Sequence, residues 1–594
     1  MRAEPRYKYL AQSTGLVPPG CKEDGAVELA QIIKLARGAE PAEILLTNAR
    51  IVNVYTGETY PAEIALADGR IAGIGTGYTA RQVMDLGGRY VCPGFIDAHV
   101  HIESAMVPPY EFARAVVARG TTTVIIDPHE IANVLGLEGI RYIFDAAKYN
   151  PLSVYVMMPS CVPATDMETA GAYLRWYDIS HYLSDPWVLG LGEMMNFPGV
   201  VFGDEEVLNK LRGFEEGIRD GHAPGLTGRD LVSYVAAGIG SDHESTTVEE
   251  MREKLRLGMV IFIREATNAH NLLSLIPGLT VANGPRVCFC TDDRQPADLL
   301  NEGHIDFLIR TAIAQGVSPF MAIAMATLNT SNYFRLFDRG GIAPGKRADL
   351  VVFSDLQNIR AEMVFRGGRL AAQDGKVIPW ERPLKAPVLR SSMNINWERV
   401  NLRIPAQGRR GRIIGVIPGQ LITEHLLEDL PIDAGEVVCD PGHDVAKIAV
   451  IERHQATGNF GLGLVRGIGL QRGAIASTVA HDSHNIIVVG VDDASIMNAA
   501  HGVADMRGGM VAIEGERVLA RLPLPIAGLM SDQPIEAVRD QMEDLILAAH
   551  QLGSPLRDPF TAMSFLALPV IPSLKITDKG LVDVGRFQIV SLFE

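Results

Sequence analysis

The chain is poor in three things, and each shortage excludes something. Cysteine is sparse: six in 594 residues, at Cys21, Cys92, Cys161, Cys288, Cys290 and Cys439, scattered and mostly inside apolar runs. No spacing repeats as a disulfide framework or a zinc knuckle requires, so they read as buried thiols in a reducing compartment, with Cys288 and Cys290 on one strand face as core. Positive charge is in deficit, 54 Lys plus Arg against 70 Asp plus Glu, for a net charge of -16. An acidic surface repels phosphate backbones and anionic lipid, which argues against nucleic-acid and membrane partners. Long apolar runs are missing as well. None spans a bilayer, and the opening Met1-Arg-Ala-Glu-Pro-Arg-Tyr lacks the apolar stretch of a signal peptide. A cytoplasmic protein is expected.

What is present divides the chain into several units, since about 100 to 200 residues is the usual size of one domain. Residues 1–37 form an N-terminal extension with an amphipathic helix over Val27–Arg37 that stops at Gly38. Residues 38–91 switch to short β-rich runs separated by Thr-Gly and Asp-Gly turns, and residues 338–384 return to the same pattern, so the two pieces are expected to make one small β domain. Between them, residues 92–337 alternate strand-like and helical runs. The strands are expected at Val91–Ala98, Thr121–Asp127, Val154–Met158, Val188–Glu193, Gly221–His222, Gly238–His243, Met259–Glu265 and Arg286–Asp292, with the fifth placed by its order and its histidine. This predicts an α/β fold: a (β/α)8 TIM-like barrel with a discontinuous small β domain. After a Pro-rich linker, residues 385–594 suggest a C-terminal α+β domain, with strands near Arg412, Ala446 and Asn485 and a helix over Ile535–Leu552. Chemistry in such barrels lies at the C-terminal ends of the strands.

Those ends carry metal-ligand side chains. Pro93-Gly-Phe-Ile-Asp-Ala-His-Val-His-Ile-Glu-Ser104 is a buried strand whose alternation places His99 and His101 on one face, with Asp97 two residues earlier to orient them. The fourth end gives Glu193, the fifth His222, the sixth His243 and the eighth Asp292. Any one alone is more often a satisfied loop group; six at successive ends are not. Four imidazoles and two carboxylates exceed the needs of one tetrahedral ion and suit a pair of divalent cations bridged by Glu193 and a water-derived hydroxide.

The arrangement resembles the amidohydrolase superfamily. Glu193 stands where many binuclear members carry a carboxylated lysine; Lys148, Lys210 and Lys254 fall in helical or loop-like segments. The longer strings Pro93–Ser104, Asp127-Pro-His-Glu-Ile-Ala-Asn-Val-Leu-Gly, Asp220-Gly-His-Ala-Pro-Gly-Leu, Ser241-Asp-His-Glu-Ser, Thr291-Asp-Asp and Val479-Ala-His-Asp-Ser-His-Asn resemble the adenine deaminase family. That resemblance implies hydrolysis of free adenine to hypoxanthine and ammonia in purine salvage, with two Mn2+ or Fe2+ ions, Zn2+ being suited to the same donors. It also implies that a water activated between the ions attacks C6, with Asp292 as general base and then general acid. A homodimer is expected, with adenine as the small-molecule partner.

The donor of the ring proton is open at this level, because His222 is followed by Ala-Pro-Gly where mononuclear relatives have His-x-x-Glu. Glu103, Glu130 and Glu265 are the candidates, Glu130 the favoured one, and Ser104 joins them as a substrate-binding residue. His481-Asp-Ser-His484 in the last domain offers a separate metal site, a lid over the barrel, or a polar turn, and the turn is the simplest reading. Competing functions are an N-acetylglucosamine-6-phosphate deacetylase-like enzyme or other amidohydrolase, and a non-catalytic scaffold. The zinc deaminase class with Pro-Cys-x-x-Cys is excluded by the absence of that motif.

Overall fold

A computed structural model describes residues 29–148, 150–380 and 389–594. Most of the predicted N-terminal extension, Cys21 and most of the Pro-rich linker lie outside them. The amphipathic helix spans Leu29–Ala36 and ends at Gly38, whose φ of +69° favours glycine.

Among the described residues the barrel strands are β1 (Phe95–Val100), β2 (Thr121–Ile126), β3 (Ser153–Met158), β4 (Val188–Met194), β5 (Ile218–Gly221), β6 (Ser241–Asp242), β7 (Val260–Arg264) and β8 (Val287–Cys290). They run parallel in two arcs, β5-β4-β3-β2-β1 and β6-β7-β8. The arcs are joined where Gly240 N donates to Arg219 O at 2.9 Å and Asp292 N donates to His99 O at 2.9 Å. Ile96, Ala98, Ile125, Met157, Phe262, Cys288 and Cys290 pack together as one buried cluster, so the paired cysteines are core.

Three expectations are corrected. The run Val91–Ala98 is two strands: Tyr90–Pro93 pairs antiparallel with Leu350–Phe353 in the small β domain, and only from Phe95 does the chain enter the barrel. Gly94 marks the join. A Cβ there would lie 2.3 Å from Thr122 Oγ1, so only glycine lets the two strands approach. The fifth strand lies at Ile218–Gly221, just before His222, short but with buried Asp220 and Gly221. The sixth shrinks to Ser241–Asp242.

Tyr90–Pro93 and Leu350–Phe353 sit side by side in a nine-stranded sheet built from residues 42–93 and 350–377, which makes the small β domain discontinuous in sequence. The C-terminal part has an eight-stranded sheet that includes Arg410–Val416, Val445–Ile451 and Ile486–Gly490, flanked by helices Asp493–Asp505 and Ile535–Gln551. It docks on the barrel mouth. Ser531 N donates to Met106 O at 2.8 Å, Arg114 Nη1 to Glu536 Oε1 at 2.8 Å, Gln295 Nε2 to Thr561 Oγ1 at 2.7 Å, and Asn485 Nδ2 to Thr169 O at 2.9 Å.

Gly94→Ala is expected to cost about 1 to 3 kcal/mol through overpacking against Thr122. The check is a thermal melt: a clear drop in midpoint is the predicted outcome, and an unchanged midpoint would show that the strands part freely there.

Candidate active site

The site begins with a backbone irregularity. The pairing of β1 with β2 runs Ile96 to Thr123 and Asp97 to Val124, but Val100 to Ile126, so β1 carries one extra residue between Asp97 and Val100. Such a bulge reverses which face the following side chains occupy. Ile96 and Ala98 pack in the barrel core, and beyond the bulge His99 and His101 turn to that same interior. Asp97 therefore does not share their face. Its Oδ1 accepts from the backbone N–H of His99 (3.2 Å) and Thr291 (3.1 Å), and its Oδ2 faces His304 Nε2 at 3.0 Å. Asp97 thus ties the end of β1 to the loop that presents Asp292 without touching an imidazole of the cluster.

Glu193, at the end of β4, stands at the centre. Its Oε1 lies 3.2 Å from His101 Nε2, 3.6 Å from His99 Nε2 and 3.4 Å from His129 Nδ1. Its Oε2 lies 2.7 Å from His222 Nδ1 and 3.2 Å from His243 Nε2. Burial alone would push this carboxyl up, but the surrounding imidazoles outweigh it and hold it well below the usual carboxylate range. Gly192 makes the placement possible: Asp127 Oδ2 accepts from Glu193 N at 3.0 Å, and a Cβ on Gly192 would sit 2.0 Å from that oxygen.

Asp292 closes the ring from β8 with a left-handed backbone (φ +53°). Its Oδ1 faces His101 Nε2 at 3.1 Å and His99 Nε2 at 3.7 Å, while its Oδ2 accepts from Arg264 Nη1 at 2.9 Å. Burial raises its pKa, but His101 and Arg264 dominate and hold it well below the normal range. His101 Nδ1 lies 2.8 Å from the carbonyl of Asp127, an arrangement that puts the hydrogen on Nδ1 and leaves Nε2 its lone pair.

The donors fit divalent cations. His99 Nε2 and His129 Nδ1 are fully buried without a hydrogen-bond partner among the described residues, and carboxylate oxygens surround them. Groups of three such donors, including His99–His101–Asp292, His99–Glu193–His243 and His101–His129–Glu193, fall within 4.8 Å of one another. Orphaned buried nitrogens are costly unless something binds them, and imidazole with carboxylate is a divalent-metal donor set. The structure thus brings His99, His101, Glu193, His222, His243 and Asp292 together.

Sequence reasoning missed His129 as a member of this cluster, although it was visible in Asp127-Pro-His-Glu at the end of β2. It also missed Arg264, one residue before the expected Glu265, and Glu244, whose Oε1 is 3.6 Å from both His222 and His243. Lys210 and Lys254 are buried away from the cluster, bonded to Ser160 O and Asp242.

Beside the cluster lies a pocket with two walls. The barrel supplies Glu103, Ser104, Glu130 and Asp293, and the C-terminal part supplies Val479, His481, Leu529, Phe560 and Phe565. Glu103 is buried, accepts from Ile131 N at 3.3 Å through Oε1, and has no partner for Oε2 among the described residues; burial pushes its carboxyl up to about 7. Ser104 Oγ donates to Asp293. Glu265 is not in this pocket: its carboxylate is committed to His270 Nδ1 at 2.8 Å and Leu272 N at 3.1 Å. The His481–His484 segment is no solvated turn either. His481 Nδ1 lies 2.8 Å from Glu130 Oε1, and His484 Nε2 contacts Glu130 Oε2.

Comparison with known proteins fits this geometry. The Amidohydrolase family profile matches residues 90–371, and the profile for the Adenine deaminase C-terminal domain matches residues 420–588. Barrel, strand-end donors and profile together define a metal-dependent hydrolase of the amidohydrolase class. Full-length relatives narrow it. A protein named adenine deaminase from Desulfatibacillum aliphaticivorans is 52% identical over 568 residues, 95% of this chain and 99% of its own. One named adenine deaminase 2 from Carboxydothermus hydrogenoformans is 47% identical over 566 residues, 95% of this chain and 99% of its own. The chain belongs to the adenine deaminase family.

Gly192→Ala is predicted to displace Asp127 and with it the backbone of Glu193. Elemental analysis of the purified variant should find most of the bound metal gone while far-ultraviolet circular dichroism stays that of the parent; full metal content would refute the placement.

Proposed function

We propose that the chain hydrolyses free adenine to hypoxanthine and ammonia, in salvage of the purine base. The observation that carries this reading is the division of Glu193, each oxygen facing its own set of imidazoles, beside a pocket lined with carboxyl, hydroxyl and imidazole groups. Two divalent ions, Mn2+ or Fe2+ with Zn2+ also suited, would be held by His99, His101, Glu193, His222, His243 and Asp292, with His129 as a further donor. When bound, such ions supply Lewis acidity that lowers the pKa of the attacking water.

The chain's own groups account for the rest. Asp292 is the general base: with Arg264 on Oδ2, its Oδ1 remains directed at His99 and His101, where it takes the proton of the attacking water and returns it to the departing amine. Arg264 lowers the basicity of this carboxylate, which favours the return of the proton. Glu103 and Ser104 present hydrogen-bonding groups to the base edge, and a site built so rejects analogues lacking matching groups. Glu130 takes a different part from the one expected of it. Both of its oxygens face imidazoles, and although burial opposes it, His481 and His484 hold it well below the usual carboxylate range, so it serves as a fixed acceptor and not as a protonated donor.

The pocket argues against the deacetylase alternative. No arginine or lysine lines it among the described residues, so a sugar phosphate would find neither a guanidinium fork nor an ammonium group, the usual partners of a phosphate. A reducing compartment such as the cytoplasm suits the buried free thiols of Cys92, Cys161, Cys288 and Cys290.

Manganese-loaded protein offered adenine, adenosine, cytosine and N-acetylglucosamine 6-phosphate should release ammonia from adenine and leave the others essentially untouched; no ammonia from adenine would end this reading. Glu130→Gln should lower kcat by about 100-fold or more, the scale of a lost acid–base or orienting group, while metal content stays at the parent level. Parent rates in that variant would show Glu130 to be a bystander.

A further inference from the structure

The segment His481-Asp-Ser-His484 is the part of the molecule that the reaction so far leaves unused, and it sits on the pocket wall. The Glu130–His481–His484 group has the donors of a third cation site, since its ligand atoms fall within 4.8 Å of one another. Its hydrogen atoms rule that out. The backbone N–H of Ala480 donates to His484 Nδ1 at 3.2 Å, so Nδ1 holds the lone pair and the ring hydrogen of neutral His484 is on Nε2. That nitrogen faces Glu130 Oε2 as a donor and has no lone pair for a metal. Burial lowers the pKa of His484 to about 4, which keeps the ring neutral.

Glu130 Oε2 is therefore in contact with His484 Nε2, and its Oε1 lies 2.8 Å from Nδ1 of His481. A carboxylate on one imidazole nitrogen sets the tautomer and stabilises the imidazolium, leaving the opposite nitrogen to do chemistry. The His481 ring lines the pocket and lies flat on Phe565, with centroids 4.3 Å apart and planes at 16°. Its Nε2 has no hydrogen-bond partner among the described residues.

We propose that His481, carried into the barrel mouth by the C-terminal domain, donates the proton that the purine ring nitrogen takes up as C6 becomes tetrahedral, with Glu130 and His484 as its positioning residues. This rests on the adenine reading above. As the new C6–O bond forms, the π pair of the adjacent C=N bond moves onto nitrogen and takes the Nε2 proton, leaving neutral imidazole with its Nδ1–H still on Glu130. The C6–N bond to the amino group then breaks. Ammonia leaves with its own two hydrogens and the one returned by Asp292. The hydroxyl proton released as the C6 carbonyl forms recharges the imidazole through solvent, so one water supplies all that is consumed.

The charges around His481 favour the donor form. Burial alone lowers its pKa, but Glu130 on the helix after β2, Asp293 after β8 and Asp482 on its own loop raise it to about 9, with neutral His484 adding no charge. The imidazolium is thus the form present at neutral pH and is lost as pH rises through that value.

The test is His481→Gln, which keeps a polar side chain and removes the proton. With adenine as substrate and metal content measured in parallel, kcat should fall by about 100-fold or more, KM should change less than about threefold, and bound metal should match the parent. The parent kcat should also fall on the alkaline side near pH 9, and Glu130→Gln should move that limb to lower pH. A His481→Gln kcat within about threefold of the parent, or a loss that tracks loss of metal, overturns the proposal. If that variant does not fold, the parent profile decides, since a kcat flat to about pH 10 overturns it equally. Parent protein inactive on adenine removes the underlying reading and this inference with it; active parent with an unaffected His481→Gln removes this inference alone.

Discussion

The structure depends most on one carboxylate. Glu193 is buried among four imidazoles from β1, β5 and β6 and the His129 ring after β2, and each of its oxygens answers to a different set. A buried carboxylate in that position is tolerable only because the imidazoles face it, and they in turn converge only because the barrel closes. The hydrogen bond from Asp292 N to His99 O that completes the barrel also brings the last ligand side chain against the first. Closure of the fold and assembly of the site are thus the same event.

Much of this was legible in the sequence because it is periodic or short-range. Eight alternating strand runs, the His-x-His grip and the acidic and imidazole residues at strand ends are local patterns, and the barrel gives them one common mouth. What escaped was nonlocal or depended on a departure from regularity. Simple alternation puts Asp97 on the face of His99, and only the bulge at β1 shows otherwise. The split of Val91–Ala98 at Gly94 is invisible to hydrophobicity, since both halves are buried apolar strands. Glu265 and Glu130 look equivalent as strand-end carboxylates, yet one is spent on His270 and the other anchors two histidines from over 340 residues away.

The role of the C-terminal part could not be read from its own pattern for the same reason. His481-Asp-Ser-His484 is polar, short and followed by a strand, which is what a solvated turn looks like. Two of its neighbours come from the barrel, Glu130 at one side and Thr169, reached by Asn485, at the other, while Phe565 of the same C-terminal part lies beneath. A domain that a sequence presents as an appendage is, in space, one wall of the pocket.

The most direct measurement is a crystal structure of the metal-loaded protein with anomalous maps at the manganese edge. The account predicts two peaks flanking the Glu193 carboxylate, one towards His99 and His101 and one towards His222 and His243, and none between Glu130, His481 and His484. A single peak away from Glu193, or strong density bridging Glu130 to the two C-terminal histidines, would contradict it.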